Sequence, residues 1–234
     1  MNAIRVMTVV FNTPLKQSEI RKFRGAVIQA AGEENTLFHN HNGHGFNYRY
    51  PFIQYRIIGG KAAIVCLNEG IEQAQALFAN GFVGRELILG NENRGTIAID
   101  SIRQQEFSLQ TLDIPIAYRI TRWLPLNQQN YKAWRQIENE EERIAKLNAI
   151  LIGNIISFAK GIGWQIDAPL RCAIDASSIT TRQIQYKGQS LISFSLTYSL
   201  NIFFPIGLGL GKGVSSNCGV VLRTTPPIRT LTSE

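Results

Sequence analysis

The chain predicts an α+β fold built from two βαββαβ units in tandem. Three observations carry this expectation. Short β-rich runs and two helical periods in the first half follow the order β-α-β-β-α-β. Gly59-Gly60-Lys61 separates two of those β-rich runs, a strong hairpin signal. The polar, glycine-ended stretch Asn91-Glu92-Asn93-Arg94-Gly95 then divides this half from a second that repeats the pattern loosely. With 234 residues, 44% hydrophobic and 18% charged, the composition is that of a folded globular protein and excludes a disordered one.

Taken in order, residues 5–11 (RVMTVVF) are β-branched and aromatic and stop at Asn12-Thr13-Pro14, a first strand and its turn. Gln17-Ser18 offers a cap for a helix in which Ile20, Phe23, Ala26, Val27 and Ala30 recur at helical spacing, with Arg21, Lys22 and Arg24 on the other flank. Residues 52–58 and 62–67 form the hairpin. A second helix over 71–79 ends at Asn80-Gly81, and residues 86–89 make a fourth strand. The boundary is placed after Asn93, giving domains 1–93 and 94–234. In the second, 96–99 and 114–124 read as strands. Residues 131–160 read as a long helix, whose acids Glu138, Glu140, Glu141 and Glu142 form a solvated face before an apolar half. Strands at 170–174, 182–186 and 191–201 lead into a glycine-rich tail. The whole is read as two ferredoxin-like (RRM-like) domains.

Composition narrows the function classes. The longest uncharged apolar stretch, 148–159, is too short to span a bilayer and is interrupted by Gly153 and Asn154, so no membrane is expected. The first residues lack the pattern of a secretory leader, which predicts a cytoplasmic protein. Cys66, Cys172 and Cys218 lie far apart without a CxxC pair and read as small buried hydrophobes, not as a disulfide framework or zinc site. Lysine plus arginine exceed aspartate plus glutamate by 24 to 17, for a net charge of +7 that favours a polyanionic partner. From Arg182 onward the basic residues Arg182, Lys187, Lys212, Arg223 and Arg229 face only Glu234, so the C-terminal third is the expected electrostatic footprint.

Two segments carry chemistry. All three histidines, His39, His41 and His44, fall within six residues. Imidazole accepts and donates protons near neutral pH, and in an extended run His39 and His41 project to one side, which suits a general acid and base flanking a phosphodiester. The alternatives are loop histidines that only make hydrogen bonds, or a metal site in which His44 adds a third nitrogen. Downstream, Tyr48-Arg49-Tyr50-Pro51-Phe52-Ile53-Gln54-Tyr55-Arg56 interleaves aromatics with arginines, which suits RNA; Tyr50 and Phe52 fit a core, while Tyr48 and Arg49 are the functional candidates. The second segment, 205–219, is glycine-rich: Gly207, Gly209 and Gly211 free the backbone to cradle phosphate, with Lys212 and Ser215 beside it. A Walker A reading fails because Gly213 follows Lys212 and Pro226-Pro227 precludes a long helix, and a Rossmann reading fails for want of a following βαβ unit. A purely structural turn is the plain alternative.

Together these segments resemble the CRISPR repeat-processing endoribonucleases of the Cas six family, particularly its b branch. The likeness runs from Phe23-Arg24-Gly25-Ala26 through Leu37-Phe38-His39-Asn40-His41 and the Tyr48–Tyr55 word to Asn68-Glu69-Gly70, and resumes at 201–215 (NIFFPIGLGLGKGVS). It implies two ferredoxin-like domains, a CRISPR repeat RNA as partner and cleavage with no cofactor or metal, in which a ribose 2′-OH attacks the scissile phosphate. It also implies histidine catalysis at His39 or His41; beside that, the residues themselves offer a cation, Arg49 or Lys61, to offset the charge on the phosphorane, and Tyr48 as an open candidate to assist. RNA contact is expected from Gly207, Gly209, Gly211, Lys212 and Ser215, with Arg182 and Lys187 nearby. Proteins of a CRISPR interference complex and a second copy of the chain are further partners to consider. The sequence departs from the family at Ser216-Asn217-Cys218-Gly219, which lacks the usual basic and aromatic residues. A non-catalytic RNA binder on the same fold is therefore the competing reading.

Overall fold

The computed structural model describes residues 3–32, 35–39, 41–42, 45–46 and 50–224, with the backbone alone for 39, 41–42 and 45–46. Strand β1 (Ala3–Pro14) alternates so that Met7, Val9 and Phe11 face one core while Ile4 and Val6 face another. Helix α1 (Ile20–Ala31) follows a short 3-10 turn and buries Ile20, Phe23 and Val27 at the expected spacing. After α2 (Thr36–His39) come the two-residue strands β2 (His41–Asn42) and β3 (Gly45–Phe46), paired His41 to Phe46. The hairpin of β4 (Ile53–Ile58) and β5 (Lys61–Leu67) turns at Gly59 and Gly60, both at positive φ, as the sequence requires. Helix α3 (Glu69–Leu77) buries Ile71, Ala74 and Leu77 in the same core as the apolar stripe of α1.

The fourth strand differs from the expectation. Residues of β6 (Glu86–Leu89) do form a strand, but it pairs with β7 (Glu92–Thr96) in a separate hairpin. The sheet edge is instead β8 (Ile99–Ser108), antiparallel to β1 from Ala3↔Ser108 to Phe11↔Ile99. The sheet order β4-β5-β1-β8 is the ferredoxin-like order, so the expected boundary after Asn93 falls inside a hairpin of the first unit, whose sheet runs on to Ser108.

The second unit opens with β9 (Thr111–Trp123). The expected single helix over 131–160 is two, α4 (Gln128–Arg135) and α5 (Glu140–Gly161). They separate because the Asn139 side chain accepts the Glu141 and Glu142 amides and starts a new helix, so Glu140, Glu141 and Glu142 occupy its first turn, where acids complement the helix dipole. At 22 residues α5 has the length and hydropathy of a membrane span. Here its stripe of Leu147, Leu151, Ile155 and Phe158 is buried against the sheet. Strands β10 (Cys172–Ile174), β11 (Thr180–Tyr186), β12 (Gln189–Ile202) and β13 (Val220–Arg223) complete it, with β10 and β11 sharing one side of β12 and β9 lying between β12 and β13. This repeats the order of the first sheet. The place of a second helix, between β12 and β13, is taken by the glycine-rich segment 203–219.

The two units share a core. Ile4, Val6, Val65 and Leu67, on the face of the first sheet away from its helices, cluster with Tyr118, Trp123, Phe158, Phe204 and Leu208 of the second. Cys66 and Cys218 are buried and Cys172 is half-buried; burial pushes all three thiols up, Cys172 to about 12. The native protein should therefore resist a disulfide reagent at pH 8 and expose three reactive thiols only after unfolding, so a rapidly modified thiol in the folded protein would contradict the packing.

Candidate nucleic-acid interface

The strand β4 alternates Ile53 and Tyr55 into the helix-side core, which sends Gln54 and Arg56 to the other face, toward the glycine-rich segment. Both polar side chains are fully buried. The Arg56 guanidinium donates to the carbonyl oxygens of Gly207 at 2.9 Å, Val214 at 2.5 Å and Tyr55 at 3.1 Å, and to Oε1 of Gln54. That same Oε1 accepts the Gly209 amide at 3.1 Å, while Gln54 Nε2 donates to the Pro51 carbonyl at 3.0 Å. The Tyr50 hydroxyl donates to the Gly209 carbonyl at 2.7 Å, and its ring lies edge-on to Phe158 at 5.0 Å. Gly161 at the end of α5 permits this approach, since a Cβ there would come within 2.3 Å of Tyr50 Cβ. Burial raises the Tyr50 phenol far above its ordinary value and keeps it a neutral donor.

The loop itself is closed by its own backbone. Gly207 N donates to Val221 O, Leu210 N to Gly219 O, and Ser216 N and Cys218 N to Gly213 O. Gly207, Gly211, Gly213 and Gly219 all sit at positive φ. At Gly209, a Cβ would lie 2.8 Å from Val214 and 2.9 Å from Arg56. The amides of Gly207, Gly209 and Leu210 are spent inside the protein, so these three are not part of a phosphate nest. The loop turns Ile206 and Lys212 outward, and the Lys212 ammonium stands 5.6 Å from the Tyr186 ring centre.

A basic rim surrounds that point. Tyr186 ends β11, next to Lys187 at φ 50 in the tip of the β11–β12 hairpin. Burial raises the Tyr186 phenol, and the guanidiniums of Arg24 and Arg21, reaching over from α1, work against that rise. Asn217 donates to Gln17 Oε1 at 2.7 Å, tying the end of the loop to the turn before α1. Two clefts flank the loop. One of about 400 Å³ is lined by Tyr50, Asn127, Asn154, Ser157 and Lys212; the other, of about 690 Å³, runs between the open face of the first sheet, with Arg103 and Gln105, and Phe203, Leu222 and Arg223.

Residues 2–108 match the Cas6b N-terminal domain, and residues 110–224 match the Cas6b C-terminal domain. The chain belongs to the Cas6b family. A crystal structure of Cas6b superposes on it with a TM-score of 0.84 at 26% identity, covering 95% of this chain and all of that one. A second, of a CRISPR RNA processing endoribonuclease Cas6b, gives 0.72 at 23% over the same shares and supports the fold. An uncharacterized protein of Methanocaldococcus jannaschii is 29% identical over 140 residues, 59% of this chain and 92% of its own length.

Within this Cas6b-family chain the expected site residues sort as follows. Lys212 and Lys187 are brought to one rim, with Ser215 half-buried in the same loop. Arg182 is exposed farther along β11, opposite Ser193. Lys61 lies at the turn end of the β4–β5 hairpin and pairs with Asp100 at 3.0 Å; no contact among the described residues brings it to the loop. The backbone puts His39 at the end of α2 and His41 at the start of β2, so the alternation argument, which needs one extended run, does not hold. Their side chains, with His44, Tyr48 and Arg49, lie outside the described residues. Gln54 and Arg56 were missed; the available signal was two polar residues two apart inside an otherwise apolar strand.

Proposed function

We propose that the chain is a metal-independent endoribonuclease that cuts precursor CRISPR RNA within its repeats, leaving a 2′,3′-cyclic phosphate and a 5′-OH. The observation that carries this reading is the docking of the glycine-rich loop on β4 through Arg56 and Gln54, because the residues leading into β4 are the histidine segment. β4 stands between the loop and α2: the loop meets one face through Arg56, and on the other the Phe38 carbonyl of α2 accepts the Tyr55 hydroxyl at 3.2 Å, with the Arg24 guanidinium 5.9 Å from the Tyr55 ring centre.

In this mechanism His41 takes the proton of the attacking 2′-OH and His39 protonates the leaving 5′-oxygen, or the two exchange roles. Arg49 or Lys61 offsets the charge that develops on the phosphorane, an effect of about 3 kcal/mol for a well-placed donor, and Tyr48 assists. The inward use of the loop amides, and the absence of a basic or aromatic residue at 216–219, favour the second reading, a binder that holds RNA without cutting. Labelled repeat RNA incubated with pure protein in EDTA separates them. The enzyme cuts and leaves a cyclic phosphate end; the binder only shifts the RNA. Loss of cutting in EDTA, restored by a divalent ion, would replace the acid–base mechanism with a metal site at His39, His41 and His44.

A further inference from the structure

Arg56 is a buried cation whose hydrogen-bond acceptors are all uncharged: the carbonyl oxygens of Tyr55, Gly207 and Val214, and the side-chain oxygen of Gln54. Among the described residues no carboxylate pairs with it. Burial lowers its pKa only to about 10, so it stays charged at neutral pH. A buried arginine ordinarily has an acidic partner, and here hydrogen bonds alone offset its loss of hydration. The segment it holds, 203–219, contains a single cation of its own, Lys212.

We infer that Arg56 is a positioning residue for the cleavage reaction: its fork fixes the glycine-rich loop against β4, and its unneutralised charge, lying under the loop, raises the potential that RNA phosphates meet. This rests on the repeat-RNA reading above. The neutrality of Gln54 is part of the device. A glutamate there would still accept the Gly209 amide and an Arg56 N–H and would lose only the donation to the Pro51 carbonyl, outside the loop, yet it would cancel the charge.

Three variants of the full chain separate geometry from charge: Gln54→Glu, Arg56→Met and Arg56→Lys. The readouts are amide exchange at 207–214, affinity for a repeat RNA bearing a 2′-deoxy nucleotide at the cut site, measured at several salt concentrations, and single-turnover cleavage. Gln54→Glu should keep loop exchange slow while RNA affinity falls about 3- to 30-fold with a shallower salt dependence. Arg56→Met should speed loop exchange and lower both affinity and the cleavage rate at saturating RNA. Arg56→Lys keeps the charge without the fork, so it should recover affinity more than rate. Wild-type loop exchange in Arg56→Met, or wild-type affinity and salt dependence in Gln54→Glu, would overturn the inference. If wild-type protein neither binds nor cuts repeat RNA, the nuclease reading fails, and the exchange data still decide whether Arg56 sets the loop.

Discussion

Replacing His39 and His41 with alanine should leave repeat binding near wild type and slow cutting by orders of magnitude. Each single substitution is expected to slow single-turnover cleavage about 10²- to 10⁴-fold, the usual contribution of one positioned general acid or base. The double variant should be little worse than the more damaging single one, because two groups that move protons in the same step fail together. The pH–rate profile of the wild type should be bell-shaped, and each single variant should lose one limb. His44→Ala is the discriminating control. In the acid–base mechanism it spares the rate, whereas a site built from three imidazoles would lose both metal and activity with it. Unchanged cleavage in the double variant would reject histidine catalysis, and loss of RNA binding in step with cleavage would show that the segment grips the strand without moving protons.

Much of the fold could be read from local pattern, and what escaped did so for identifiable reasons. The β4–β5 hairpin announced itself because Gly59 and Gly60 both need positive φ between two apolar runs, and α1 because Ile20, Phe23 and Val27 make one apolar stripe. The edge strand β8 was hidden because it is polar: in IDSIRQQEFS all but Ile99 and Phe107 are exposed, so composition gives no sign of it. Glu86–Leu89 looked like a strand and is one, but its partner is chosen by the register of the β6–β7 hairpin and not by propensity. For the site, sequence pointed to the glycine-rich loop and to Lys212. It could not show that the Gly209 amide turns inward to Gln54, 155 residues away in the chain, or that Arg56 holds the Gly207 and Val214 carbonyls. Only the parity of β4 hinted at it.

The same dependence of the loop on close backbone approach makes Gly219→Ala the most disruptive single methyl group the chain can receive in this region. Gly219 sits at φ +65, its carbonyl accepts the Leu210 amide at 2.8 Å, and its own amide donates to the Arg122 carbonyl at 3.1 Å. A Cβ at that position would lie 2.0 Å from the Leu210 carbonyl oxygen. The left-handed conformation alone costs an alanine about 1–2 kcal/mol. The contact is with backbone and not with a pliable side chain, so relieving it must also separate the Leu210–Gly219 pair, adding about 1–3 kcal/mol for amide and carbonyl groups left buried without partners. Together these predict a melting temperature lower by about 5–15 °C, at roughly 2–4 °C per kcal/mol for a chain of this size. Gly163, at φ +72 with nothing within 4 Å of its virtual Cβ, isolates the conformational part. Gly163→Ala should lower the melting temperature by about half as much or less, and should not alter RNA affinity. Gly219→Ala should weaken RNA binding in addition, because the displaced segment carries the turn that presents Lys212. Equal melting shifts in the two variants would mean that the loop yields freely at Gly219, and the loop would then be an adaptable surface in place of the fixed one that Arg56, Gln54 and Tyr50 describe.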